Sequence, residues 1–274
     1  MKRILIPTDF SKYADLAIEA GAQIAKKNNA EIVLIHMLEL PGQTNDAITG
    51  GTSIPAIMLF KNKADEILKD IKNRPYLSGI HIKEVVLLDN VYKGITTYSN
   101  QNDIDLIVMG SHGSSGFEEI FVGTNTEKVV RLSKIPVLVI KNKIDELDIK
   151  KIVFASDFSK EIKKPFLELL KFAKFFDAKL KLVMICTPNN FKSTSAAQKT
   201  MKDFVAEFDM PDYSMEIYNE TNVEKGITNY ADTKNADIIA LCTHGRTALI
   251  HFFNGSISED LVNHTTRPVI TFKI

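Results

Sequence analysis

The chain repeats itself, and the repeat limits what it can fold into more than any other feature does. The tetrapeptide Asp9-Phe10-Ser11-Lys12 returns as Asp157-Phe158-Ser159-Lys160, 148 residues later. A longer stretch, KGITTYSNQNDIDLIVMGSHG from Lys93, returns as KGITNYADTKNADIIALCTHG from Lys225, at a separation of 132. The second copy is therefore 16 residues shorter between the two landmarks. The endings also correspond, IPVLVI at 135–140 against RPVITF at 267–272. Landmarks this specific, in one order, imply an internal duplication. The expected domains are 1–141 and 149–274, joined by the short NKIDELD segment at 142–148. A linker that short makes the copies pack together and not swing freely.

Within the first copy, buried-looking strands alternate with helical segments. Residues 2–7 read as a strand, and Ser11 then caps a helix whose apolar face is Ala14, Ala17, Ile18, Gly21, Ala22 and Ala25. Residues 31–38 form a strand with no sustained polar alternation, as expected where both faces of a parallel sheet are covered. A helix follows at 55–72, with Ile57, Met58, Ala64, Ile67, Leu68 and Ile71 as its core positions. Strands at 80–88, 105–110 and 136–140 and helices at 92–102 and 125–132 complete the copy. The expected fold class is α/β, with two doubly wound, mostly parallel five-stranded sheets. Each fifth strand would end at an open apolar edge. Pairing the two edges across a pseudo-twofold axis would cover both, although short edges blunted by lysines are an alternative.

Composition removes several classes of function. The formal net charge is zero, which gives no basic surface for nucleic acid. No apolar run approaches the roughly 18–20 residues of a membrane span. The MKRILIPTDF start reads as a first strand and not as a signal peptide. Cys186 and Cys242 supply no metal framework and suit a reducing compartment, so a cytoplasmic location is expected. Both are expected to be ordinary buried thiols, not redox groups.

The chemistry gathers around 106–126, where an apolar strand runs into a glycine loop and then a helix. Backbone N–H groups converge in such a loop, and the helix N-terminus adds partial positive charge for phosphate. In a doubly wound sheet, ligands sit beyond the carboxyl ends of the strands where the strand order reverses. Asp9 and Gly110 would both face that crevice. Asp9 would accept a hydrogen bond from a base or ribose, help hold a metal beside phosphate, or merely cap the following helix. Thr124 would bond a phosphate oxygen or cap the helix after it. The spacing Gly110-x2-Gly113-x9-Gly123-Thr124 is neither GxGxxG nor the GxxxxGK[ST] phosphate loop, so those two readings fail.

That spacing resembles the G-x2-G-x9-G-[ST] loop of the ATP-binding universal stress proteins. The chain as a whole is similar to a tandem member of that family. The resemblance implies a Rossmann-like, adenine nucleotide alpha hydrolase-like fold binding ATP, with Mg arriving only through the phosphates. It implies Pro7, Thr8 and Asp9 near base and ribose, and Met37 against the adenine. It also implies Met109, Gly110, His112, Gly113, Gly123, Thr124, Asn125 and Thr126 along the ribose and phosphates. Pairing of fifth strands within the chain agrees with the family's habit of dimerising there, and a further homodimer is open.

The second copy departs from this pattern. Gly245-x9-Gly255-Ser256 is intact, but Cys242 replaces Gly110 and Ala155 replaces Pro7. Ser156, Asp157, His244, Gly245, Gly255 and Ser256 would form its site, with Arg246 as an added phosphate contact or a solvated residue. A side chain at 242 would crowd a nucleotide there. His112 and His244 are expected to make loop hydrogen bonds and not to act as bases. The helix rich in phenylalanine at 166–176 is expected to serve packing, and the loop at 44–53 to be a lid or disordered. The function expected is a nucleotide-binding stress or regulatory protein. The alternatives are a slow ATP hydrolase and a nucleotide-free interaction module; with no lysine or arginine in the first loop, turnover should be slow or absent.

Overall fold

The structure, a computed structural model, describes residues 1–39, 54–111, 123–210, 212–243 and 265–274. The described residues fall into two compact units that divide between Leu147 and Asp148. In the first unit the order is β1 (Arg3–Pro7), α1 (Lys12–Asn28), β2 (Glu31–Leu38), α2 (Ile54–Lys72), β3 (Ile82–Leu88), α3 (Val91–Gln101), β4 (Leu106–Gly110), α4 (Thr124–Leu132) and β5 (Val137–Ile140). The strands pair in parallel in the order β3-β2-β1-β4-β5. The chain therefore winds outward from β1 in one direction as far as β3, then crosses back to β4. That reversal opens a crevice between the carboxyl ends of β1 and β4.

The central strands are buried on both faces. Ile4, Leu5 and Ile6 of β1 and Leu106, Ile107 and Val108 of β4 are wholly inaccessible to solvent. Helix α1 presents Ala14, Ala17, Ile18, Gly21, Ala22 and Ala25 to them, and its expected cap is in place, Ser11 Oγ accepting from the Ala14 N–H at 3.2 Å. Asn29 closes the helix in the left-handed conformation, at φ 51°. Helix α2 corrects one expectation. Ala64, Leu68 and Ile71 are buried, but Met58 is 61% exposed, and Ile57 and Ile67 are half-buried. Its packing against β2 and β3 falls on the later turns, so the early apolar residues find no core. A single 3-10 turn, Pro75–Leu77, and Gly79 at φ 82° then delay the third strand to Ile82, two residues later than expected.

The second unit runs β6 (Lys151–Ala155), α5 (Lys163–Phe176), β7 (Lys179–Cys186), α6 (Thr194–Val205), β8 (Tyr213–Asn219), α7 (Val223–Thr233), β9 (Ile238–Thr243) and β10 (Val269–Lys273). Its strands are also parallel, in the order β8-β7-β6-β9-β10. Equivalent details recur in the two units. Asp105 accepts from the Lys2 and Arg3 N–H groups, and Asp237 accepts from those of Lys150 and Lys151. The phenylalanines of α5 do serve packing within their own unit. Phe166 meets Phe154, Phe204 and Phe208, and Phe172 meets Phe176 and Phe272. The expected lid at 44–53 lies outside the described residues.

Candidate functional site

Beyond Pro7 the chain turns sharply and ties itself down. The Thr8 N–H donates to the Ile35 carbonyl at 2.9 Å, Thr8 Oγ1 accepts from the Phe10 N–H at 3.1 Å, and Asp9 Oδ1 accepts from the Ser11 N–H at 3.1 Å. Phe10 is held at φ 65°, a conformation that disfavours any residue with a Cβ. These bonds remove the capping role that was open for Asp9. Ser11 caps α1, so Asp9 is a loop residue, and it stands exposed at the mouth of the crevice.

Gly110, at the end of β4, lies against the first turn of α1. A Cβ on it would sit 2.5 Å from the Tyr13 carbonyl oxygen and 3.1 Å from the Ala14 nitrogen. Both are backbone atoms, which cannot move aside cheaply, so the close approach requires glycine. Helix α4 begins nearby. Gly123 is its cap residue and makes no side-chain cap bond, while its own N–H donates to the Ser111 carbonyl at 2.8 Å. Thr124 is thus the first helical residue and not the cap. The first N–H groups of a helix have no acceptor within it, which leaves those of α4 for a ligand. Thr126 turns inward instead, its hydroxyl donating to the Gly110 carbonyl at 3.0 Å and fixing α4 to the end of β4.

These elements enclose a cavity of about 290 Å³, close to the lower bound for small-molecule pockets. Every residue expected at the first site lines it except His112 and Gly113, which lie outside the described residues: Pro7, Thr8, Asp9, Met37, Met109, Gly110, Gly123, Thr124, Asn125 and Thr126. The Met37 side chain reaches over α3, where its sulfur would be 2.7 Å from a Cβ on Gly94. Sequence reasoning missed His36 and Glu39, which also line the cavity. His36 Nδ1 is 2.8 Å from the Thr8 carbonyl oxygen, and its ring stacks on Phe10 with centroids 4.3 Å apart. An imidazole inside an otherwise apolar strand was the available signal. Glu39 Oε1 accepts from Asn90 Nδ2 at 2.8 Å and from the Val91 N–H at 2.9 Å, joining the end of β2 to the start of α3.

The second unit keeps the turn. Ser156 Oγ accepts from the Phe158 N–H at 3.0 Å, Asp157 Oδ1 accepts from the Ser159 N–H at 3.1 Å, and Phe158 is at φ 57°. Ala155, Ser156, Asp157, Met184, Ile185 and Cys186 line a small pocket of about 30 Å³ at the ends of β6 and β7, and the residues matching Gly123–Thr126 lie outside the described residues. Cys242 places a side chain where Gly110 has none. The facing helix also starts differently: Ser159 makes no cap bond, Lys160–Ile162 form a 3-10 turn, and α5 begins only at Lys163. Pro165 requires that delay. In an α-helix starting at Lys160 it would need an N–H for the Glu161 carbonyl, and it has none. Burial pushes the Cys242 thiol above its ordinary range, with the Asp157 carboxylate adding to the effect, so a reactive thiolate is disfavoured. His244, Gly245, Arg246, Gly255 and Ser256 lie outside the described residues.

Comparison with known proteins places this geometry in context. The family model described as "Universal stress protein family" matches residues 1–141 and 214–273. Universal stress protein Slr1230 of Synechocystis is 24% identical over the full length of both chains. Universal stress protein MJ0577 of Methanocaldococcus jannaschii is 29% identical, covering 52% of this chain and 96% of its own. A universal stress protein of Archaeoglobus fulgidus superposes with a TM-score of 0.74 at 24% identity, covering 99% of this chain and 98% of that one. No helix among the described residues is long and apolar enough to cross a membrane.

Proposed function

Because the chain belongs to the universal stress protein family, we propose that its first unit holds an adenine nucleotide, ATP, and that occupancy regulates the protein in a stress response. The observation that carries this reading is the cavity at the reversal of strand order. It brings the exposed Asp9, the glycine end of β4 and the N-terminus of α4 to one opening. Polyphosphate would lie on the N–H groups of Thr124 and Asn125, aided by the helix dipole and by the Thr124 hydroxyl. Asp9 would accept from a ribose hydroxyl, and Met37 would supply apolar surface to the base. Mg would enter with the phosphates, whose charge it would share.

Binding without rapid turnover is the proposed mode. Among the described lining residues there is no lysine or arginine to neutralise charge developing on a transferring phosphoryl group. Two free cysteines and no membrane-spanning helix among the described residues support a cytoplasmic location.

The test is to purify the full chain, denature it and assay released nucleotide, then titrate the nucleotide-free protein with ATP. Saturable binding is expected, weakened about tenfold or more in Asp9→Ala through loss of a charged hydrogen bond. Absence of both released nucleotide and saturable binding would refute the proposal. Phosphate release with Mg on the timescale of binding would refute the non-hydrolytic mode alone.

A further inference from the structure

We infer that the second unit binds an extended peptide segment carrying an acidic residue, which adds as a strand to the free edge of β8 beside α6. β8 is the last strand of its sheet. Two bonds flank its pairing with β7: the Leu180 N–H donates to the Asp212 carbonyl at 3.4 Å, and the Glu220 N–H to the Cys186 carbonyl at 3.0 Å. They set the alternation along the strand. Even-numbered residues face β7, so Tyr213, Met215 and Ile217 turn their backbone N–H and C=O groups to the open side. Among the described residues those groups have no partner.

The same stretch borders a groove of about 360 Å³ between β8 and α6. Glu216 belongs to the other face of the sheet, where it pairs with Lys234 of α7 at 2.7 Å. By alternation Met215 and Ile217 face α6, and with Met201 they form an apolar floor. Along the rim stand Thr194, Gln198 and Lys202, spaced i, i+4 and i+8 and hence in one row of the helix. All three are exposed, and among the described residues their side chains have no partner. The row is about 12 Å long, the span of roughly three to four extended residues. Lys202 is the one charged side chain on this wall, so the groove favours a carboxylate.

The first unit shows the corresponding edge closed. Ile35 pairs with Val85 and its match Val183 with Glu216, so Glu84 matches Met215. The buried series Ala64, Leu68 and Ile71 of α2 matches Ala197, Met201 and Phe204 of α6, so Lys72 matches Val205. Lys72 Nζ meets Glu84 at 2.6 Å, an ion pair that blunts that edge. Both positions are apolar in the second unit. A second copy of the chain fits less well, because its β8 would bring Tyr213, Met215 and Ile217 to this face and no carboxylate for Lys202. A peptide with apolar residues at alternate positions and one acidic residue satisfies edge, floor and cation together.

The test uses the full-length chain and a fluorescein-labelled heptapeptide, TVTETVT, whose side-chain order is the same in either direction. Fluorescence polarisation should show saturable binding. Lysine in place of its glutamate should weaken binding about fivefold or more, the scale of an exposed ion pair. Lys202→Glu, a change on the exposed rim, should reverse that preference. A probe N-methylated throughout, which can donate no strand hydrogen bonds, should not bind. Absence of saturable binding by the glutamate probe overturns the inference. So does equal binding by the N-methylated probe, or a preference unchanged in Lys202→Glu. Self-association of the chain that the probe disrupts and Lys202→Glu leaves intact would assign the edge to a second copy and overturn it as well.

Discussion

At the end of β4 a Cβ is forbidden by two backbone atoms of α1, and at the matching place in β9 one is present. Gly110→Ala should therefore destabilise the first unit by about 1–3 kcal/mol, the usual cost of overpacking, read as a lower denaturation midpoint. A second residue-scale expectation concerns Lys141, which follows β5. Burial lowers its ammonium from 10.5 to about 8. A lowered lysine means that the unfolded chain binds the proton more tightly than the folded one, so the charge opposes folding. That cost is fully present below pH 8 and is relieved as the pH rises from about 8 to 10.5. Lys141→Met should raise the melting temperature at pH 7, and the gain should fade toward pH 10.5. A gain independent of pH would show that packing, not charge, is responsible.

At the scale of elements, the two copies of one helix start make a matched experiment. Ser11 Oγ accepts a bond from the Ala14 N–H, whereas Ser159 makes none. Ser11→Ala should cost about 1 kcal/mol and Ser159→Ala only a few tenths, measured as separate shifts in chemical denaturation. The helix starts also show what could be read beforehand. Strands such as Glu31–Leu38 were legible because a mostly apolar run without sustained polar alternation has few other homes than a sheet covered on both faces. The Ser11 cap was legible because its signal is local. Met58 was misread because helical periodicity says which residues share a face and not how far along the helix the neighbouring sheet extends. The late start of α5 was written in Pro165, a signal visible only once the position of the preceding turn is known.

For the molecule as a whole, Cys242 at the place that Gly110 leaves free of a side chain predicts one nucleotide per chain. Calorimetric titration should give a stoichiometry near one, and a value near two would mean that Cys242 does not exclude a nucleotide. At a hundredfold excess over Kd, ATP should stabilise the first unit by about 2.7 kcal/mol and leave the second without direct stabilisation. Much of the first site was legible because its residues lie at strand ends and in a spaced glycine loop, both sequence-local features. His36 and Glu39 were not, because their partners, Thr8 and Asn90, are brought near only by the sheet. The altered second copy was only half legible: Cys242 announced crowding, but the late start of α5 did not stand out.

The strand order has a consequence for synthesis. Ile4 pairs with Leu106, so the middle strand of the first sheet lacks one neighbour until β4 has emerged from the ribosome. At about 5–20 residues per second that wait is on the order of five to twenty seconds. Throughout it, one edge of an apolar strand is open to other nascent chains. The second copy repeats the delay, with Ile152 waiting for Ile238. Each unit thus depends on early formation of β1–α1–β2 or β6–α5–β7 as a shielded half-sheet, and an encounter with a chaperone is best timed to that interval.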